Sequence, residues 1–199
     1  MKDIVFDLGG VLIDWNPRYL YKKIFASTEE MEWFLSNVCT PEWNARQDAG
    51  RPFAEALALV TEKYPKYAAQ INDYYARWEE TLGGPIKGTV ALWQELKNKG
   101  CRIYALTNWS AETFPIAKQK YDFLQKMDGI VVSGEEKMNK PNPEIYKRLL
   151  ARYGLQAKNC VYIDDSLPNV EAAVQLGFDA IRFVSPEILR LELLKRGLL

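Results

Sequence analysis

The sequence predicts an α/β fold, in which a parallel sheet carries helices on both faces and a helical cap is inserted into the sheet domain. Two observations support this prediction. Short apolar runs alternate with longer amphipathic stretches through most of the chain, which is typical of successive βαβ units. The segment from Asn16 to Leu82 interrupts this alternation, because it has helical spacing and no clear strand pattern.

The predicted strands and helices follow one another in strict order outside the interrupting segment. The first strand, residues 3–7, is apolar and β-branched and leads into two glycines. Four similar runs predict strands at residues 102–106, 129–132, 160–163 and 179–183. The amphipathic stretches predict helices at residues 87–99, 111–120, 143–153, 167–176 and 186–196.

The interrupting segment is rich in alanine, glutamate, lysine, leucine and aromatic residues, with apolar side chains at helical intervals such as Trp33, Phe34 and Val38. It ends at Gly83-Gly84-Pro85, a strong turn signal. We therefore expect hinges near residues 14–17 and 82–86. The expected division is a core domain of residues 1–15 and 84–199 and a helical cap of residues 16–83.

Composition limits the classes of function. Lys+Arg and Asp+Glu both number 26 in the 199 residues, so no net charge attracts nucleic acid or an anionic membrane. The three cysteines, Cys39, Cys101 and Cys160, are odd in number and far apart, which indicates free thiols in a reducing compartment. We expect a cytoplasmic protein, a monomer or homodimer, with no nucleic-acid or membrane partner.

The chain contains no histidine. Its absence excludes Ser-His-Asp and Cys-His triads, histidine-ligated zinc and imidazole general bases. Chemistry in this chain must therefore depend on carboxylates, lysine, hydroxyls, backbone amides and a hard metal ion bound by oxygen.

Asp7 lies at the end of the first predicted strand. A carboxylate beside a buried strand is costly unless it has a partner or a function. The carboxyl ends of strands are also where α/β sheets bind ligands. Asp7 is therefore a candidate nucleophile, and the backbone of Gly9 and Gly10 can approach a ligand or metal closely. On this stretch alone, a plain turn capped by Asp7 explains the pattern equally well.

Polar residues follow three further predicted strands in the same way: Thr107 and Asn108, then Lys140, then Asp164 and Asp165. Because parallel strands end at one edge of a sheet, we expect these residues and Asp7 to converge. Three carboxylates repel one another, and one lysine does not balance them. A Mg²⁺ ion bound by Asp7, a main-chain carbonyl near Gly9, and Asp164 or Asp165 would relieve the repulsion.

Such a site suits phosphoryl transfer through an aspartyl-phosphate intermediate. Thr107 and Asn108 can donate hydrogen bonds to phosphoryl oxygens, and Lys140 can balance their charge. Taken singly, each motif has a plainer interpretation, as helix N-caps at Thr107-Asn108 and Asp164-Asp165-Ser166 and an exposed turn at Lys140-Pro141. Their joint placement at strand ends favours the site.

These motifs give the chain a resemblance to haloacid dehalogenase superfamily hydrolases across nearly its full length. The matching segments are residues 6–12 (FDLGGVL), 106–108 (LTN), 140–143 (KPNP) and 162–169 (YIDDSLPN). The resemblance implies a Rossmann-like sheet with a helical cap that closes over the site. It also implies a catalytic set of Asp7, Thr107 and Lys140, with Asp164 and Asp165 as magnesium carboxylates and Asn169 supporting their loop.

The chain departs from the family pattern at Gly9, where the family's phosphatases usually carry an aspartate that protonates the leaving group. The resulting Asp-Leu-Gly sequence resembles that of bacterial sugar-1-phosphate phosphatases. We therefore expect a magnesium-dependent phosphatase of a small phosphorylated metabolite, with a sugar phosphate as one candidate. Two alternatives stay open: a 2-haloacid dehalogenase using the same aspartate, and a binding or regulatory homologue with weak turnover.

Aromatic residues and arginines near the first hinge and within the cap are candidates for substrate recognition, because this combination suits a sugar or carboxylate ligand. Arg18 and Arg46 are predicted to bind substrate, with Trp15, Trp43 and Asn44 beside them. Trp109 directly follows Asn108 and is predicted to line the crevice.

Overall fold

The computed structural model describes residues 2–199 and has an α/β architecture, which confirms the predicted fold class. Seven strands are formed by the described residues: β1 (Asp3–Phe6), β2 (Ile13–Trp15), β3 (Leu82–Pro85), β4 (Ile103–Thr107), β5 (Gly129–Val132), β6 (Cys160–Asp164) and β7 (Asp179–Arg182). Five of them form one parallel sheet in the order β5-β4-β1-β6-β7.

Helices occupy both the alternating part of the chain and the segment between β2 and β3. The segment contains α1 (Arg18–Tyr21), α2 (Thr28–Asn37), α3 (Pro41–Asp48), α4 (Phe53–Lys63) and α5 (Ala68–Ala76). The remainder contains α6 (Lys87–Asn98), α7 (Phe114–Lys120), α8 (Asp122–Gln125), α9 (Ser133–Glu136), α10 (Pro143–Tyr153), α11 (Leu167–Gln175) and α12 (Pro186–Lys195). The predicted helix at 111–120 is shorter than expected, since residues 111–113 form turns and α7 begins at Phe114.

Both faces of the sheet are covered, as the sequence predicts. In β1, Ile4 and Phe6 belong to a core that includes Trp93 of α6 and Leu193 of α12. Val5 points to the other face, where the core includes side chains of α10 and α11. This alternation follows from the two-residue period of a strand. Since β1 is central and buried on both faces, the residue that follows it is held rigidly.

Helices α1 to α5 pack around a third core of their own, in which aromatic side chains dominate. The rings of Tyr21 and Phe34, for example, lie 4.9 Å apart between centroids. A separate core is what a helical insertion needs in order to fold as a unit beside the sheet. Across residues 2–199, every helix is too short or too polar to traverse a lipid bilayer.

Residues 14–17 and 82–86, where we expect hinges, include parts of two strands that the sequence pattern does not predict. Strands β2 and β3 pair in antiparallel fashion, with an irregularity between Asp14 and Trp15, and form a two-stranded ribbon at the base of the inserted helices. Local patterning could not reveal this ribbon, because its strands are three and four residues long and distant in sequence. The two glycines of β3 also resemble a turn.

The sequence predicts a short polar stretch between helices at residues 43–46, whereas residues 41–48 are helical. They form α3, which begins with Pro41 after Thr40, whose hydroxyl accepts a hydrogen bond from the Trp43 amide at 3.1 Å. Threonine followed by proline is a recognisable helix start. The stretch is nevertheless polar, and only Gln47 within α3 is fully buried, so hydrophobic periodicity gave no signal there.

Candidate active site

The carboxyl ends of three neighbouring strands, β4, β1 and β6, place the predicted residues side by side. Phe6 of β1 lies opposite Ala105 of β4 and Ile163 of β6, so each strand contributes its next polar residue to the same edge. The amide of Asp7 continues the ladder by donating to the carbonyl of Ile163 at 2.8 Å. The sheet register therefore brings Asp7 beside Asp164.

Asp7 is buried, with 8% of its surface exposed. Its Oδ1 accepts hydrogen bonds from the Leu8 amide at 2.7 Å and lies 2.9 Å from Nζ of Lys140. Burial raises the pKa of Asp7 to about 7, Lys140 opposes this rise, and Asp164 adds to it. Since both contacts involve Oδ1, Oδ2 is the oxygen available to attack a substrate.

Lys140 lies between the carboxylates and is only 3% exposed, so its interpretation as part of an exposed turn is wrong. Its ammonium group donates to Asp164 Oδ2 at 2.7 Å and to the Leu106 carbonyl at 2.8 Å. Burial alone would lower the pKa of Lys140, but Asp7 and Asp164 outweigh it and raise the pKa above its usual value. Lys140 is therefore a fixed cation at the centre of the cluster.

Asp164 is held by more donors than any simple helix cap requires. Asn169 Nδ2 lies 3.1 Å from each carboxylate oxygen, the Ser166 amide donates at 2.9 Å, and the Tyr162 hydroxyl donates at 2.5 Å. Asn169 thus supports the aspartate loop as the resemblance implies. The sequence reasoning missed Tyr162, although its position two residues before Asp164 on the same strand places both side chains on one face.

The three carboxylates converge closely enough to bind one cation. Ligand oxygens of Asp7, Asp164 and Asp165 all lie within 4.8 Å of one another. Burial and the neighbouring Asp164 raise the pKa of Asp165, as expected for like charges held together. A set of hard oxygen donors with one lysine among them fits a magnesium ion, which prefers carboxylate and carbonyl oxygens.

Gly10 permits this convergence. Its backbone has a φ of 75°, and a Cβ atom there would lie 2.6 Å from Oδ2 of Asp165. A side chain at this position would therefore push Asp165 away in addition to straining the backbone. Gly9 differs, since a Cβ atom there would meet nothing within 4 Å. The predicted role of the Gly9 carbonyl as a metal ligand stays a prediction.

Thr107 and Asn108 lie at the end of β4, next to the Lys140 loop. The hydroxyl of Thr107 is buried without a hydrogen-bond partner among the described residues, which is what a phosphate-binding hydroxyl needs. The side-chain amide of Asn108 donates to the Lys140 carbonyl at 3.0 Å and accepts from the Lys140 backbone amide at 2.8 Å. These bonds position the lysine loop and replace the N-cap interpretation, because α7 begins six residues later.

A cavity opens between this edge of the sheet and the inserted helices, with about 460 Å³ of empty space including its mouth. Its walls are aromatic and polar: Gly9, Trp15, Asn44, Asp48, Tyr75, Trp78, Asn108, Trp109, Ser110 and Thr113. Trp109 packs edge-on against Trp78, with ring centroids 5.7 Å apart, and its Nε1 donates to Thr113. Aromatic faces together with a few polar groups suit an organic ligand held by stacking and hydrogen bonds.

Arg18 and Arg46 do not line this cavity. Arg18 forms an ion pair with Glu32 at 2.6 Å and is half-buried. Arg46 is exposed on α3, because a residue two positions after Asn44 in a helix points away from the cavity. Trp15 and Asn44 do line it, whereas Trp43 packs against Tyr74 and Tyr75. The geometry thus gives no support to a substrate-binding role for the two arginines.

Asp48 is a titratable cavity residue that the sequence pattern did not identify. It lies at the end of α3, one helical turn after Asn44, whose side-chain amide donates to its Oδ2 at 3.0 Å. Burial raises the pKa of Asp48 to about 7, although the backbone amide of Ser110 lowers it in part. The i, i+4 spacing of two polar residues was the only local signal, and polar pairs of this kind are common on exposed helix faces.

Comparison with known proteins agrees with this geometry. Residues 1–177 match a family model described as haloacid dehalogenase-like hydrolase. A sesquiterpene phosphatase of Aspergillus oryzae is 28% identical over 88% of this chain and 86% of its own length. A phosphorylated carbohydrates phosphatase of Thermotoga maritima is 23% identical over 91% of this chain and 84% of its own length.

A solved structure resembles the whole architecture. It is a HAD family enzyme of Bacteroides thetaiotaomicron in complex with magnesium and inorganic phosphate, 25% identical, with a TM-score of 0.69. The match covers 93% of this chain and 95% of that chain. The inserted helices are thus part of the similarity as well as the sheet.

Proposed function

Since the chain belongs to the haloacid dehalogenase-like hydrolase family, we propose that this phosphatase dephosphorylates a small metabolite with Mg²⁺ as cofactor and Asp7 as nucleophile. The observation that carries the proposal is the convergence of Asp7, Asp164 and Asp165 within 4.8 Å, with Lys140 bonded between two of them. Three acidic groups beside one lysine suit a cation and the anionic group that accompanies it.

In the proposed reaction, Oδ2 of Asp7 attacks phosphorus while Oδ1 stays bonded to Leu8 and Lys140. Lys140 balances charge on the phosphoryl oxygens, and the unpartnered Thr107 hydroxyl donates to one of them. Asn108 keeps Lys140 in place through its backbone. Water then cleaves the aspartyl phosphate and regenerates Asp7.

The cation would be bound by Asp7, Asp164, Asp165 and the carbonyl of Gly9. When bound, Mg²⁺ shields the incoming phosphoryl group from the carboxylates and stabilises the charge that develops on it. The protein contributes the rigidity of the cluster, since four donors fix the orientation of Asp164.

The cavity favours a substrate with an uncharged body. Among the described residues that line it, four are aromatic and none is a lysine or arginine. Aromatic walls suit carbohydrate rings and apolar groups, and the names of two relatives refer to phosphorylated carbohydrates and to a sesquiterpene. A 2-haloacid carries a carboxylate on its body, and no lysine or arginine among the described lining residues can pair with it, so the walls disfavour the dehalogenase alternative.

Residues 16–83 are proposed to act as the cap that closes the cavity. The cap helices supply Asn44, Asp48, Tyr75 and Trp78, so the substrate body contacts the cap while the phosphate contacts the sheet edge. Closure excludes bulk water from the reacting group. The three buried free thiols support the proposal of a cytoplasmic location.

The proposal is tested by measuring phosphate release from a panel of sugar phosphates, prenyl phosphates and nucleotides, with and without magnesium. We expect activity that requires magnesium and disappears in Asp7→Asn, while circular dichroism and melting temperature show an intact fold. Phosphate release by Asp7→Asn at the wild-type rate would contradict the role of Asp7 as nucleophile. Activity unaffected by a chelator would contradict the requirement for a metal ion.

A further inference from the structure

The proposed reaction needs a proton at a place where the sheet edge supplies none. When the P–O bond of an alkyl phosphate breaks, the departing oxygen is a strongly basic alkoxide unless an acid protonates it, and such an acid typically contributes about 10²–10⁴-fold in rate. Gly9 lines the cavity and follows the nucleophile, Asp7, by two residues. A side chain at position 9 would have open space around it. The core domain thus leaves this part of the wall without a proton donor.

Asp48 is the one carboxyl group among the described residues that line the cavity with Gly9. It comes from α3 of the cap, and its orientation is fixed by Asn44. The end of α3 is itself held against the core. Ser133 Oγ donates to the Asp48 carbonyl at 2.5 Å, and Asn139 Nδ2 donates to the Ala45 carbonyl at 2.5 Å.

We propose that Asp48 is the general acid and base of the reaction, supplied by the cap in place of a side chain at position 9. This proposal rests on the proposed phosphatase function. In the first step, Asp7 Oδ2 bonds to phosphorus, the P–O bond to the leaving group breaks, and the Asp48 carboxyl proton moves to the departing oxygen. The products are an alcohol, the aspartyl phosphate and an Asp48 carboxylate.

In the second step, the Asp48 carboxylate takes a proton from a water molecule as the water oxygen bonds to phosphorus. The bond between phosphorus and Asp7 breaks, inorganic phosphate is released, and Asp7 regains its carboxylate. Asp48 is again protonated, so the cycle closes without any other reactant.

The surroundings of Asp48 suit both its protonated and its ionised form. Burial gives Asp48 a pKa of about 7, so that the acid and its carboxylate are both accessible near neutral pH. The other titratable group on the cavity wall, Tyr75, is a poor alternative, because burial raises its pKa above the usual tyrosine value. Tyr74, which also faces Asp48 from α5, is buried with a raised pKa and stays neutral.

Asp14 is the next carboxylate after the nucleophile in the sequence, and it provides a matched control. Its Oδ2 accepts a hydrogen bond from the Tyr19 hydroxyl at 2.7 Å, and it belongs to the β2–β3 ribbon, where the next residue, Trp15, lines the cavity. The Asp14 carboxylate lies against Gly83 of β3, and Asp14 is not among the described residues that line the cavity. Asp14 therefore faces away from the substrate.

The experiment compares kcat/KM for p-nitrophenyl phosphate, whose leaving group needs no proton, with that for benzyl phosphate, whose leaving group does. We expect Asp48→Asn to lower kcat/KM for benzyl phosphate by about 10²–10⁴-fold. The loss for p-nitrophenyl phosphate should be at least about tenfold smaller. Asp14→Asn should leave the ratio of the two substrates at its wild-type value.

A rescue variant distinguishes loss of the acid in Asp48→Asn from misfolding of that variant. Because position 9 has room for a side chain, adding Gly9→Asp to Asp48→Asn should restore benzyl phosphate hydrolysis selectively. An equal loss for both substrates in Asp48→Asn, or a selective loss in Asp14→Asn, overturns the proposal for Asp48. If the wild-type protein releases phosphate from neither these substrates nor the panel, the proposed function itself fails.

Discussion

At the scale of single residues, Lys140 allows two buried carboxylates to exist beside each other. It bonds to Asp164 and contacts Asp7, all three being nearly inaccessible to solvent. A buried ion pair adds little net stability, but losing one partner costs about 3–5 kcal/mol because the remaining charge is left unpaired. The cluster is therefore costly in stability, which is consistent with the proposed site, where an anion and a cation would bind together.

Thr107 offers a test in which stability and activity separate. Its buried hydroxyl has no partner among the described residues, so Thr107→Val removes an unsatisfied group and should leave the free energy of unfolding within about 1 kcal/mol of wild type, or raise it. If the hydroxyl donates to the phosphoryl group, kcat/KM should fall by about 10- to 100-fold. Phosphate-release kinetics and urea denaturation measure the two effects.

Thr89 of α6 is the matched control, since it is fully buried and its hydroxyl is also unpartnered. Thr89→Val should show the same small change in stability with unchanged kinetics. Wild-type kcat/KM in Thr107→Val would rule out a phosphate contact from this hydroxyl.

At the scale of elements, the five core strands could be predicted because each is a short apolar run bounded by turn signals. The polar residues after four of them could then be placed at one edge without coordinates. The ribbon of β2 and β3 could not be predicted, since its pairing joins Ile13 to Pro85 across the whole insertion. Asp48 could not be predicted as a site residue for a related reason, because only the docking of α3 on the core brings it into the cavity.

The docking of α3 can be tested through Ser133 at the start of α9. Its hydroxyl donates to the Asp48 carbonyl and accepts from the Trp109 amide at 2.9 Å. Ser133→Ala leaves both groups without this partner, which should cost about 1–3 kcal/mol in stability. Because α3 also carries cavity residues, kcat/KM should fall as well.

Ser185 provides the comparison, since it caps α12 by accepting from the Ile188 amide. Loss of such a cap lowers the free energy of unfolding by roughly 0.5–2 kcal/mol, which is comparable with the cost expected for Ser133→Ala. Ser185→Ala should therefore lower the melting temperature and leave kcat/KM unchanged. Equal kinetic effects in the two variants would show that lost stability, and not the position of α3, reduces activity.

At the scale of the whole molecule, the net charge is zero, yet three carboxylates are concentrated at one edge of the sheet. Magnesium should bind the folded chain and not the unfolded one, because unfolding separates Asp7 from the 164–165 pair. At a concentration one hundred times the Kd, this linkage adds about 2.7 kcal/mol of stability. For a chain of this size, the melting temperature should rise by about 5–10 °C.

Differential scanning fluorimetry with MgCl2 measures this shift, and NaCl at matched ionic strength is the control. Asp165→Asn should reduce the shift, because it removes one of three converging carboxylates. An equal shift with NaCl, or an undiminished shift in Asp165→Asn, would contradict a magnesium site at this edge.

The proposed reaction requires that Asp7 be phosphorylated during turnover, and trapping the aspartyl phosphate is the decisive experiment. The protein is mixed with substrate and magnesium, quenched, reduced with borohydride and digested for mass spectrometry of the N-terminal peptide. Borohydride reduces an aspartyl phosphate to homoserine, so we expect homoserine at position 7 that depends on both substrate and magnesium. Continued phosphate release with unmodified Asp7, or modification at another carboxylate, would contradict the account.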